Sequence, residues 1–342
     1  MSKDVHVKRR QALINTGRII SSSYLASLTF PNDSFAQTLP NYPSKPIKIV
    51  IPFAAGGTLD AAIRPLSQPL SSLMGQSFII DNRAGANGMI GAEVVAKSPS
   101  DGYTLLGTSA SFVLNPIVNK DIRYDIFKDF TPITSLMRGV GFVLLVHPSV
   151  QVNTLQELIA LDKKSNKPLA YSSPGIGNTV HIASELFNQK AGTHFLHIPY
   201  KGSGPSLNAL LAGEVQIGIT PPGVVMQFIK TGKLKPLAFT GSSRLADLPD
   251  VPLMAEVGVK DMVFEGTWMG LLGPGNMPDA IVQKIYQDTN KCLQEPGLRS
   301  ALSNAVSGYV VDGSTPEQFT KQIKDDFKRY SEILKRINLQ TS

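Results

Sequence analysis

Short β-branched runs alternate with helix-period segments along most of the chain. Ile47–Ile51 (Ile-Lys-Ile-Val-Ile), residues 78–81 (Phe-Ile-Ile-Asp) and 103–108 (Tyr-Thr-Leu-Leu-Gly-Thr) read as short buried strands. Residues 60–73 and 88–97 carry the helical period between them, which gives a βαβαβ order and predicts a parallel, doubly wound sheet. Residues 142–147 form a further apolar strand, followed by Thr154 as the cap of a helix over 155–163. A second alternating set follows: strands at 170–171, 194–198, 215–220 and 235–239, with helices at 179–191, 205–212 and 224–231. Residues 264–272 return as a strand, and helices over 279–294 and 315–337 complete the chain. In the last, Thr315 caps, Pro316 takes the first helical position, and Phe319, Ile323, Phe327, Tyr330, Leu334 and Ile337 form one apolar stripe.

The pattern is α/β in two lobes, each a mainly parallel sheet with flanking helices. The first lobe takes residues 43–143 plus 267–342 and the second 144–266. Two crossings, near 140–145 and 265–270, predict a hinge that closes over a small ligand. Ligand crevices of such sheets lie at the C-terminal strand ends. Pro52-Phe53-Ala54-Ala55-Gly56-Gly57-Thr58 follows the first strand there and opens a helix, so its amides face outward with no Cβ in the way, an arrangement that suits an anion. Thr108 and Ser109 fall at the end of another strand. Gly175-Ile176-Gly177-Asn178-Thr179 leads into a helix of the second lobe in the same way.

The first 36 residues stand apart. Lys8-Arg9-Arg10 precedes a weakly apolar stretch, and Ser34-Phe35-Ala36 supplies small residues before Gln37, the order of a removed export signal. Arg9-Arg10 resembles a twin-arginine signal, with the Sec route as the alternative. Its removal takes away five basic and two acidic residues and lowers the formal charge from +7 to +4. With no Lys/Arg run, that balance gives no footing for nucleic acid. The composition, 42% hydrophobic and 17% charged, is that of a globular chain. No apolar run reaches the roughly 20 residues that span a bilayer. Cys292, the sole cysteine, sits in a helical stretch and reads as a packed apolar residue.

Several segments, in order and spacing, carry a resemblance: Tyr42-Pro43-Ser44-Lys45-Pro46-Ile47, Pro52 to Asp60, Asp81-Asn82-Arg83-Ala84-Gly85-Ala86-Asn87-Gly88 and Asp101-Gly102-Tyr103-Thr104-Leu105. Pro174 to His181, Tyr200-Lys201-Gly202-Ser203-Gly204-Pro205 and Trp268-Met269-Gly270-Leu271 continue the series. Over about residues 42–335 the chain resembles the Bug (Bordetella uptake gene) family, the TctC-like substrate-binding proteins of tripartite tricarboxylate transporters. That resemblance implies a periplasmic-binding-protein-like, Venus-flytrap fold and a periplasmic monomer. It would capture a small carboxylate and deliver it to membrane permease subunits, without catalysis or cofactor. It places one carboxylate on Ala55, Gly56, Gly57 and Thr58, with Thr108 and Ser109 near by. The other polar end would meet Gly175, Gly177, Asn178, Thr179, Tyr200 and Gly202, with Thr220 at a strand end. Asp60 has two readings, a pocket-border residue or the partner of Arg64 one helical turn on. Arg83 reads as a loop anchor, His181 as a structural hydrogen-bonder, and Trp268 as a core or hinge residue.

One departure concerns ligand identity. Gln216, Thr220, Pro221 and Pro222 stand where the family pattern is acidic, which disfavours a ligand amine there. The chain lacks Gly-x-Ser-x-Gly, His-Glu-x-x-His, a P-loop and any Cys/His metal spacing. Val180 and Leu207 stand where a dinucleotide fingerprint needs its third glycine. The alternatives to transport are a carboxylate-sensing input module for a membrane sensor kinase and, further off, a small-molecule hydrolase.

Overall fold

The computed structural model describes residues 41–265, 267–306 and 308–337; the expected export signal lies outside them. Strand β1 (Ile47–Ile51) is buried at all but one position, as a strand with helices over both faces must be. It pairs in parallel with β2 (Phe78–Asn82) and β3 (Thr104–Ser109). Between them run α1 (Thr58–Ile63), α2 (Ser67–Met74) and α3 (Met89–Ala96). Gly75 ends α2 in the left-handed conformation at φ 70°. Gly91 lets α3 lie against the end of β1, since a Cβ there would stand 2.7 Å from that of Pro52.

After α4 (Ser111–Val118), the long strand β4 (Phe130–Gly139) leads across to β5 (Val143–Val146). The second lobe then winds through α5 (Leu155–Lys164), β6 (Ala170–Ser173), α6 (Thr179–Ala191), β7 (Leu196–Pro199), α7 (Ser203–Leu211), β8 (Ile217–Thr220), α8 (Pro222–Lys230) and β9 (Lys235–Phe239). The chain returns in β10 (Trp268–Pro274) and ends with α9 (Asp279–Gln294), α10 (Pro296–Ala305), β11 (Tyr309–Val311) and α11 (Pro316–Arg336). Among the described residues the sheets run β11-β4-β10-β3-β1-β2 and β7-β6-β8-β5-β9.

The two α/β lobes are as expected, but both sheets are mixed rather than mainly parallel. β10 is antiparallel to β3 and β4, and β5 is antiparallel to β8 and β9. The crossings explain this. Strands such as β1 and β3 finish at the cleft, whereas β10 and β5 arrive from the other lobe and start there. The crossings lie side by side, with the Gly139 N–H donating to the Thr267 carbonyl at 2.8 Å.

One apolar cluster joins the lobes: Val50 and Leu106 of the first sheet belong with Tyr171 and Ile217 of the second. Helix α11 seals it. Thr315 and Gln318 form the expected capping box, and Phe319, Ile323 and Tyr330 are buried along the stripe. Fully buried Trp268 meets Phe319 edge-on at 4.8 Å and donates from Nε1 to Asp326 Oδ2 at 3.0 Å. Burial pushes the Asp326 carboxyl up to about 6, against the pull of Arg329 and Trp268. Replacing Trp268 by Phe leaves that buried carboxyl without its indole donor and opens a void. We expect a loss of about 2–4 kcal/mol in urea unfolding followed by circular dichroism; an unchanged midpoint would show that this contact does not hold α11.

Candidate functional site

A cavity of about 170 Å³ lies between the two sheets. Its first wall is the turn from β1 into α1. Gly56 takes φ 76°, and Gly57 (φ −78°) caps α1 without a side-chain hydrogen bond. Asp60 holds this turn from beneath. Its Oδ2 accepts the Gly56 N–H at 3.0 Å and Arg64 Nε at 3.0 Å, while Oδ1 accepts Arg64 Nη2 at 2.6 Å and Asn82 Nδ2 at 3.1 Å. Asn82 Nδ2 also donates to the Phe53 carbonyl at 3.0 Å. Burial alone would raise the Asp60 pKa; the bonds from Arg64, Gly56 and Asn82 outweigh it and hold the carboxyl below its ordinary 3.8. Asp60 therefore has its acceptor sites filled and does not line the cavity. With the Gly56 amide consumed, the Ala55 and Thr58 N–H groups are left without a backbone acceptor among the described residues. Thr58 Oγ1 is buried with no partner.

The opposite wall belongs to the second lobe, and here the structure redistributes the expected donors. The Gly175 N–H goes to Ser173 Oγ at 3.2 Å, and the Gly177 N–H goes to His181 Nδ1 at 3.1 Å. A Cβ on Gly177 would meet Val118 at 3.2 Å rather than the cavity. The open amides of this wall are those of Thr179, at the start of α6, and of Ser203 and Gly204, at the start of α7, where Gly202 caps without a side-chain bond. Pro205 follows and has no N–H to offer.

Of the expected residues, Ala55, Gly56, Gly57, Thr58, Ser109, Asn178, Thr179, Gly202 and Thr220 line this cavity together. Gly175, Tyr200 and Gly202 line a neighbouring chamber with Asn87, Lys120 and Lys201. Thr108 is buried within β3 opposite Gly270. Leu207, Ser172, Ser206, Met269, Thr267 and Tyr309 also line the inner cavity, beyond the set named from sequence. Tyr309 lies on β11, too short a strand to register in the pattern, and Ser172 follows an unremarkable Tyr171.

None of the lining residues is Asp, Glu, Lys, Arg or His. His181 lies behind the wall, stacked on His197 at 3.8 Å. Burial and then the His197 neighbour lower His181 to about 3, and burial lowers His197 to about 4, so both stay neutral. Because His181 Nδ1 accepts from Gly177, its proton sits on Nε2. Among the described residues no group of three or more His, Cys, Asp or Glu is placed to hold a metal ion.

The profile of the tripartite tricarboxylate transporter family receptor matches residues 62–339. Protein BugT of Bordetella pertussis is 33% identical over 296 residues, 86% of this chain and 90% of BugT. Among solved structures, the periplasmic binding protein BugD superposes with a TM-score of 0.80 at 30% identity, over 86% of this chain and 98% of that one. R. palustris Rpa4515, solved with adipate, superposes with a TM-score of 0.81 at 31% identity over the same shares.

The Asp60 network yields a signed expectation. Its folded pKa lies below 3.8, so the stability it contributes is fully present above that pH and is lost as pH falls through the folded value. Asp60→Asn should cost about 1–3 kcal/mol at pH 7, and the gap to the parent should narrow only below pH 3.8. Urea unfolding at a series of pH values measures it; a gap that closes near pH 6 would point to another group.

Proposed function

Because the chain belongs to the tripartite tricarboxylate transporter receptor family, we propose that it captures a small organic carboxylate between its lobes in the periplasm and delivers it to a membrane permease. The carrying observation is a cavity in which two helix starts, from opposite lobes, offer unpaired amides and no ionised side chain. Such a wall matches an anion through oriented backbone dipoles, whereas a ligand cation would find no counter-charge. We place one carboxylate on Ala55–Thr58 and the other polar end on Ser203 and Gly204, with Leu207 and Met269 against the carbon skeleton. A volume of about 170 Å³ suits a molecule of about six to ten heavy atoms. The adipate held by the R. palustris relative is in that range. The hydroxyls of Ser109, Ser172, Ser203 and Ser206 have no base beside them in the lining, which favours binding over turnover. The lobe limits 43–143 plus 267–342 and 144–266 belong to the same reading, supported by the division of strands between the sheets.

Succinate, malate, adipate and citrate form the test panel. A ligand at a hundredfold excess over Kd stabilises its receptor by about 2.7 kcal/mol, so one of them should raise Tm clearly; a response to a neutral sugar and to none of the acids would overturn the proposal. Gly57→Val and Gly204→Val place side chains at the two helix starts. A Cβ on Gly204 has nothing within 4 Å, and Gly57 has a φ open to any residue, so both variants should fold. Each should weaken binding about tenfold to several thousandfold by calorimetry, because it should obstruct one or two charge-assisted bonds worth roughly 1.5–3 kcal/mol each. Unchanged affinity in both would move the ligand elsewhere.

Export has its own measurement. The mature protein should begin near Gln37, and N-terminal sequencing of the periplasmic fraction that returned Met1 would refute removal of a signal. Replacing Arg9 and Arg10 by Lys should block export by the twin-arginine route and leave the Sec route intact.

A further inference from the structure

Both ends of the Asn178 side-chain amide are engaged inside the protein. Its Oδ1 accepts the Val180 N–H at 3.0 Å and caps α6. Val180 can only donate there, so the oxygen faces it and Nδ2 points the other way. Nδ2 lies 3.0 Å from Ser111 Oγ, the first residue of α4, which belongs to the lobe of the six-stranded sheet. It is also 3.5 Å from Asn87 Oδ1 in the same lobe. Asn87 is held in turn by Asn115, through Nδ2 to Oδ1 at 2.9 Å and from Asn115 Nδ2 to the Asn87 carbonyl at 3.2 Å. Ser111, Asn115 and Asn178 are 1%, 4% and 7% exposed, so the bridge between the lobes is buried. Ala86 and Asn87 both take left-handed φ, 46° and 50°, a local cost that the Asn87–Asn115 bonds offset.

We propose that Asn178 is a positioning residue that latches the two lobes together beside the cavity without spending its side chain on the ligand. A buried amide donor is costly when unpaired. Ser111 supplies its acceptor only while the lobes are together; on separation water takes over. The bond therefore favours the closed arrangement and slows ligand escape while leaving capture by the open form untouched. The same side chain caps α6, so lobe closure and the start of α6 are set by one residue. The idea rests on the cavity being the ligand site, but its first test needs no ligand.

Two variants break the latch from opposite sides and keep the helix cap. Ser111→Ala removes the acceptor. Asn178→Ser retains a good capping residue too short to reach Ser111. Spin labels at Lys120→Cys and Lys201→Cys, exposed positions on opposite lobes, report lobe separation in a Cys292→Ala background. Without ligand, each variant should shift the distance distribution towards longer separations, and the double variant should go no further than either alone. With adipate as probe, stopped-flow dissociation should be about three- to tenfold faster at an unchanged association rate, the effect of one hydrogen bond. Parental distances and dissociation rates in both variants would overturn the latch, as would an effect in Asn178→Ser alone, which would mark a cap defect. If adipate, malate, succinate and citrate all fail to bind the parent protein, the ligand reading falls, and the distance measurement still decides on the latch.

Discussion

The Asp60 carboxylate is the fixed point of the site. A turn that aims backbone N–H groups at a cavity has little to keep it in shape, because the groups that would stabilise it are those it must leave free. Asp60 resolves this by taking one amide, that of Gly56, and tying it to Arg64 and Asn82. Through Asn82 the same network reaches the Phe53 carbonyl at the end of β1. Arg64 is about half exposed, so the pair avoids the desolvation that makes buried ion pairs poor stabilisers. Its value is geometric: the turn keeps its shape while the Ala55 and Thr58 amides stay without a backbone acceptor.

The second lobe solves the same problem with different parts. The loop after β6 satisfies itself, Gly175 through Ser173 and Gly177 through His181, and becomes a rigid wall. Open amides remain at Thr179, which starts α6, and one crossover along, at the start of α7. The neutral His181–His197 stack supports this wall without adding charge. The apolar cluster common to both sheets ties the lobes together and includes Phe319, Ile323 and Tyr330 of α11.

Much of this was legible in the sequence. The strong periods of 47–51, 179–191, 235–239 and 279–294 set their elements to the residue, because burial on one stripe or on both faces leaves little freedom. β4 escaped notice because Pro132 interrupts it and its buried positions do not alternate. Pro116 hid α4 in the same way, whereas α10 opens at Pro296 and buries only Leu302, so it shows no core stripe. The direction of β10 depends on the crossing, which is a property of the whole chain. At the site, glycine turns are visible as motifs, but which of their amides stay free is decided by partners distant in sequence or orientation, such as His181 for Gly177 and Asn82 for Asp60. Of the two readings of Asp60, the partner of Arg64 is the one that the geometry favours.

A cavity without ionisable lining also has a consequence for where such a receptor can work. Backbone amides and serine hydroxyls neither gain nor lose protons across the acidity a cell envelope meets, and burial pushes the Tyr309 hydroxyl further from titration. For the carboxylate function proposed above, the grip would then be constant, and only the guest's own acid–base equilibrium would vary with the surroundings. The sensing of sourness would be left to the cargo: an acid would be recognised wherever it is ionised and become invisible where it is not.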